Sequence, residues 1–370
     1  MSKGVGDRES SGFGAPGEKG VFIRMAFLAQ DMCLHPQEKV RFEHVGRYAV
    51  SVDFANVQRV EGRWWRSPSV QCIGTVHWGM SRRAYALYEA LSAGKIPDEI
   101  DPNDLSLSED MWNRSTDPVF RHNAPAFLKD AIAPAEAEIE REVSRVVGLA
   151  RWRCNRPGPV DLPRLGPHEW SMDGKGWRAD VCRPAMPLSA FGPDLVVSDV
   201  RRTDIERFLE TGEDEPLYQS LLREAESLLE NNPRSAVAIG ATAAEVAVKA
   251  LVSKLAPQTS WLVQNLPSPP IFRILEEYLP QLLPPGAPRF DVGLIKNLKA
   301  AVSLRNELIH GAKANLKSSE VASALATFRD IAWLCDYFSG VAWAVNRVSE
   351  GIRTAMSLPT TVDTDGWFVD

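Results

Sequence analysis

Cysteine is scarce and unpaired: Cys33, Cys72, Cys154, Cys182 and Cys335 are the only five in 370 residues, and none stands in a C-x-x-C pair. An odd, scattered set excludes a disulfide framework and a zinc knuckle. Cys33 and His35 lie two apart with no second pair beside them, so neither a metal site nor a cofactor is expected. The sequence shows no apolar run of membrane-spanning length. Its first twenty residues, "MSKGVGDRESSGFGAPGEKG", have no apolar core of the kind a signal peptide needs. That Gly/Ser-rich stretch reads as disordered, and the expectation is a cytoplasmic protein without a membrane partner. An excess of positive charge is also missing. With 42 Lys and Arg against 48 Asp and Glu, the net charge is -6, so any nucleic-acid binding must come from a local basic patch. No P-loop, HExxH or GxSxG motif occurs.

What is present divides into two styles of sequence. Residues 21–209 read as an α+β domain. "GRYAVSVDFA" alternates, with Tyr48, Val50, Val52 and Phe54 on one face, and "SVQCIGTVHW" (Ser69–Trp78) is a second strand. Ser81 caps a helix over "RRAYALYEALSA", which Gly94 ends. A polar stretch at 97–118 reads as loop. An amphipathic helix is expected from about Pro134, with Ile139, Val143, Val146, Val147 and Ala150 on one stripe. "EWSMDGKGWRADV" reads as a hairpin turned at Asp173-Gly174 and Gly176. Seven of the eleven tryptophans lie in this half. Set beside arginines they could stack on bases, but core and rim filling is the commoner use.

The acidic "ETGEDEP" (210–216) reads as a linker. After it every segment is helical. "LYQSLLREAESLLE" places Leu217, Leu221, Ala225 and Leu228 on one face. "RSAVAIGATAAEVAVKALVSKL" is apolar almost all round and should be the central helix. "IFRILEEYLPQLL" forms a third, a fourth ends in "LRNELIHGAK", and a fifth begins at a Ser cap, Ser318 or Ser319. This is an antiparallel bundle over 217–350 with a tail at 351–370.

The fourth helix carries the chemistry. Leu294, Leu298, Ala301 and Leu308 share a stripe, and Arg305 falls inside it. A guanidinium there needs a carboxylate or a polar crevice. Asn306 and His310 are four apart and share a neighbouring face. Gly311 is placed to cap the helix, which sets the His310 imidazole at the negative end of the dipole, where it can exchange a proton. Cleaving RNA without a metal needs a base for the ribose 2′-OH, an acid for the departing 5′-oxygen and a cation on the phosphate. Arginine suits the last role. One helix supplies one His, and Arg305 points about 140° from it, so a symmetric dimer would complete the set.

Arg305-Asn306-Glu307-Leu308-Ile309-His310 resembles the R-N-x-x-x-H motif of the HEPN superfamily, late in a compact helical bundle. The resemblance covers about 216–350. It implies a metal-independent, often homodimeric endoribonuclease of the kind used as toxins, anti-phage defence effectors or CRISPR-associated nucleases. Arg305 would bind phosphate, His310 would act as acid and base, and Asn306 would orient them. An acid on an earlier helix would support the arginine, and Glu245 is the only acid in its helix. A local pair with Lys249 is its alternative use. Lys296, Lys299, Lys313 and Lys317 cluster around the motif and could guide an RNA backbone, or form a solvated face. The N-terminal domain would sense or regulate, and an antitoxin or phage-derived trigger would be a further partner. The rival reading is a catalytically silent HEPN-like module that binds or dimerises; a third gives the N-terminal half a small ligand and leaves the bundle only to dimerise.

Overall fold

A computed structural model of the chain describes residues 19–30, 32, 40–56, 69–97, 100–109, 116–120, 124–182, 199–265, 269–311 and 316–359. It is α+β followed by helices. The sequence reading draws one boundary at 210–216, whereas the chain divides into two compact units that interleave. The first comprises Met1–Val147, Leu162–Val197 and Leu209–Gly212; the second comprises Gly148–Asp161, Ser198–Phe208 and Glu213–Asp370.

The first unit is built on a six-stranded antiparallel sheet. Its strands are β1 (Gly20–Gln30), β2 (Val40–Val45), β3 (Val50–Asn56) and β4 (Ser69–Gly79), with short β7 (Glu169–Ser171) and β8 (Arg178–Ala179). Their order is β2-β3-β4-β1-β7-β8. Helix α1 (Arg82–Ser92) follows β4, and β5 (Leu105–Glu109) pairs with β6 (Thr116–Phe120) in a separate two-stranded sheet. A two-stranded sheet therefore occupies part of the stretch read as loop. Period-two alternation places Val21, Ile23, Met25 and Phe27 of β1, with Val50, Val52 and Phe54 of β3, in the core. Tyr48 does not join them in the strand. Gly46 (φ +71°) and Ala49 (φ +52°) form a turn, and β3 begins only at Val50.

The core face of the sheet is closed by α2 (Ala126–Cys154), which starts eight residues earlier than its sequence suggests and carries Pro134 inside it. Pro134 forfeits one backbone hydrogen bond. Leu128, Ile132, Ala135 and Ile139 nevertheless continue the buried stripe without a break, and their packing outweighs that loss. At Gly74 of β4 the helix comes so close that an added Cβ would stand 2.4 Å from Ile139 Cγ2 and 2.6 Å from Val143 Cγ2. Ser81 caps α1 by accepting from the Ala84 N–H (3.3 Å), and Gly94 ends it at φ +70°. The β7–β8 turn has Gly174 at φ +74°. Of the tryptophans described here, Trp78 and Trp170 are buried, while Trp177 is half-buried under the Arg24 guanidinium (4.2 Å). Trp64 and Trp65 lie outside the described residues.

The second unit holds α3 (Asp199–Thr211) up to Phe208, then α4 (Leu217–Ser227), α5 (Pro233–Leu255), α6 (Ser260–Asn265), α7 (Ile271–Arg273), α8 (Leu279–Leu282), α9 (Val292–Ile309), α10 (Ser318–Phe338) and α11 (Glu350–Ala355). The last turn of α2 belongs with it. Helix α5 packs against α4, α9 and α10, as its all-round apolar sequence demands. By length and composition α5 could cross a membrane, a run that the sequence reading passed over, but more than half of it is buried within the unit in the manner of a core helix. Between α7 and α8 the chain takes a π turn, Ile274–Tyr278. The cause is Pro280, whose ring would collide with the Glu276 carbonyl of a regular helix. The acidic linker is not wholly solvated: Glu215 accepts two hydrogen bonds from the Arg223 guanidinium.

Because Ile139 and Val143 are β-branched and stiff, Gly74→Ala should cost about 1–3 kcal/mol through overpacking. Urea unfolding of the variant against the parent measures it.

Candidate functional site

Helix α9 begins where Asp291 accepts the Leu294 N–H at 2.9 Å. Its buried stripe is Leu294, Ile295, Leu298, Ala301 and Leu304; Leu308, expected on that stripe, is only half-buried because it sits in the last turn. His310 occupies the C-cap, its N–H bonded to the Asn306 carbonyl at 3.0 Å, and Gly311 takes φ +72°. The imidazole is exposed at the end of the helix.

Arg305 is half-buried and donates to Asn306 Oδ1 at 3.1 Å. Asn306 thus serves both neighbours, its side-chain oxygen taking Arg305 and its main-chain oxygen taking His310. The Arg305 guanidinium borders a pocket of about 140 Å³ together with Ala241, Thr242 and Glu245 of α5, Pro269, Pro270, Ile271 and Val302. Its polar members besides Arg305 are Thr242 and Glu245; the rest of the lining is apolar. Glu245 lines the same pocket but gives its carboxylate to Lys249, four residues on, at 2.8 Å. Among the described residues no carboxylate lies within ion-pair distance of Arg305. Arg305 and Glu245 are therefore brought to one pocket without meeting, and His310 stands apart from both.

The lysines do not act together. Lys296 and Lys317 are exposed, and Lys317 holds the N-cap position of α10, one residue before the expected serine cap, with its N–H 3.4 Å from Glu320 Oε2. Lys299 is engaged by Glu276 at 2.8 Å and lies over the Phe272 ring. Lys313 falls outside the described residues. On the other side of α9 a groove of about 370 Å³ runs along α10. Its polar lining includes Asn297, Glu307, Ser319 and Glu320. Two carboxylates, Glu307 and Glu320, line that side, whereas the Arg305 side holds one, Glu245, already paired with Lys249.

The sequence reading missed two buried polar hubs. In the second unit, Asp336 of α10 is 1 % exposed and accepts from Trp152 Nε1 (3.0 Å), Gln219 Nε2 (2.7 Å) and the Tyr218 hydroxyl. A lone acid inside "IAWLCDYF" was the available signal. Burial pushes its carboxyl up to about 6, although the three hydrogen bonds pull the other way. This hub also turns α4: Tyr218, Gln219, Leu222 and Ala225 are buried, while Leu217 is 62 % exposed, so the predicted face is displaced. In the first unit, His168 Nδ1 lies 2.8 Å from Glu136 Oε1, Arg164 donates to the same oxygen at 2.6 Å, and His168 Nε2 stands 3.3 Å from Asp180. Burial would raise Glu136, but its bonds to His168 and Arg164 prevail and hold it at about 2. Burial, then the charge of Asp180, pushes the nearby Cys182 thiol up to about 12, which removes it as a nucleophile near neutral pH. No group of His, Cys, Asp and Glu among the described residues is placed to hold a metal ion.

The two hubs respond oppositely to acid. Asp336 has a folded pKa above its ordinary 3.8, so its contribution is fully present below about pH 4 and is lost as pH rises through about 6. The shift corresponds to about 3 kcal/mol. Glu136 has a folded pKa below its ordinary 4.5, so its contribution is present above that value and is lost as pH falls toward 2. Denaturant unfolding across pH should show a smaller gain in stability from pH 7 to 4.5 in Asp336→Asn than in the parent, and a shallower decline below pH 4.5 in Glu136→Gln. Comparison of the chain with protein-family models, with curated proteins and with solved structures finds no match.

Proposed function

We propose that this protein is a metal-independent endoribonuclease of the HEPN type, working as a homodimer, in which α9 supplies the reactive groups. Arg305 binds the scissile phosphate, and Asn306 holds that guanidinium. His310 takes the 2′-OH proton or returns one to the departing 5′-oxygen. Attack of O2′ on phosphorus with loss of the 5′-oxygen leaves a 2′,3′-cyclic phosphate and a 5′-hydroxyl. The first unit would sense or regulate, in an anti-phage defence or toxin setting.

The observation that carries this reading is the state of Arg305. It is half-buried, is bonded to Asn306 and has no carboxylate partner among the described residues. A buried arginine needs an acid or other acceptors; Arg305, half-buried and held by a neutral amide, keeps donors for an anion. His310, exposed and at the dipole's negative end, is accessible to the same substrate. The divergence of Arg305 and His310 on one helix is the argument for two copies, each completing the other's site. Ile309, 52 % exposed between them, gives that end of α9 an apolar surface to bury.

RNA cleavage by the purified chain in excess EDTA tests the proposal. The parent should cleave and yield cyclic-phosphate ends by mass spectrometry. His310→Ala and Arg305→Ala should each lose about 100-fold or more in rate. Cleavage that stops on chelation, or that survives His310→Ala, overturns it. RNA binding unaltered by His310→Ala and without cleavage would leave the silent binding module.

A further inference from the structure

The pocket beside Arg305 has a chemically divided lining. Thr242 and Glu245, three apart on one face of α5, present acceptors. The Thr242 hydroxyl spends its proton on the Ala238 carbonyl (3.0 Å), which leaves its oxygen to accept. Arg305 presents donors from α9, only one of which is used by Asn306. Pro269, Pro270 and Val302 supply apolar parts of the lining. Opposite charges lining one small pocket attract, yet each is tied to its own neighbour, Glu245 to Lys249 and Arg305 to Asn306. A ligand fitting between them must offer donors on one edge and acceptors on the next.

A volume of about 140 Å³ is well below the roughly 300–1,000 Å³ of pockets that enclose drug-sized ligands. It has room for one flat heterocycle. Of the four RNA bases, guanine alone offers a carboxylate two adjacent donors, N1–H and N2–H₂. Its next edge offers arginine the acceptors O6 and N7. Adenine and cytosine give a carboxylate one amino group each, and uracil gives a single ring N–H. We propose that this pocket receives a guanine base splayed out of single-stranded RNA. Glu245 and Thr242 accept from its N1–H and N2–H₂, Arg305 donates to O6, and the proline walls cover its faces. The remaining Arg305 donors stay with the phosphate of the same strand. The inference rests on the RNA-cleaving reading and adds a base preference to it. It makes Glu245 a specificity residue rather than a support for the arginine.

Calorimetric titration of the full chain with GMP, AMP, CMP and UMP tests it without any need for cleavage. GMP should bind at least about tenfold tighter than the others. Glu245→Gln should abolish that margin while circular dichroism remains unchanged, and Thr242→Val should weaken GMP by about threefold. Equal binding of the four nucleotides, no binding, or a GMP preference that survives Glu245→Gln overturns the proposal. Mapping of cleaved RNA separates the two readings. Cuts without a guanine bias would reject the pocket and keep the nuclease. Glu245-dependent GMP binding in a chain that never cuts would keep the pocket and reject the nuclease.

Discussion

Asp336 is a carboxylate removed from water near the end of the longest buried run of α10, and three donors must be delivered to it. They come from two other elements: the Trp152 indole from the last turn of α2, and Tyr218 and Gln219 from α4. A buried acid left without those bonds would cost several kcal/mol, so the requirement acts as a register device. It fixes the rotation of α4 and the approach of residues 148–154. Helix α5 then packs on α4 and α10, and α9 packs on α5 and α10. The position of the R-N-x-x-x-H helix is in this way downstream of one polar contact set that contains none of its residues.

The two long sides of α9 differ in charge. Toward α5 lie Arg305 and the Glu245–Lys249 pair; toward α10 lie Glu307 and Glu320. The field of these charges is felt within a Debye length of about 10 Å. The difference is local, in a chain whose overall charge is -6.

Much of this was legible in the residues. Ser81 and Gly94 bounded α1, the alternation of Val50, Val52 and Phe54 gave the inner face of β3, and Gly311 marked the end of α9. These are local signals, in which a cap or a period is decided by neighbours in sequence. The failures have a common cause in long-range contact. Helix α2 ran through Pro134 because a sheet face waited for Leu128 and Ile132. The buried face of α4 departs from its apolar periodicity because Tyr218 and Gln219 answer to an acid more than a hundred residues away. Glu245 has two readings in the sequence, and the local one, an i,i+4 pair with Lys249, forms while Glu245 also lines the pocket that Arg305 borders. The Glu136–His168–Arg164 hub combines three sequence-distant residues, and no spacing rule reports it.

The interleaving of the two units has a consequence for how such a chain could arise and be rearranged. The helical unit draws on residues 148–161 and 198–208 as well as everything after 213. Trp152, which serves Asp336, and the Arg153–Asp204 ion pair both lie in those inserted stretches. A recombination event joining another gene at the acidic stretch near 213 would carry off the helices and strand part of their interior behind it. A contiguous segment cut at that point would therefore lack Trp152, Arg153 and Asp204, which belong to the helical unit's interior contacts.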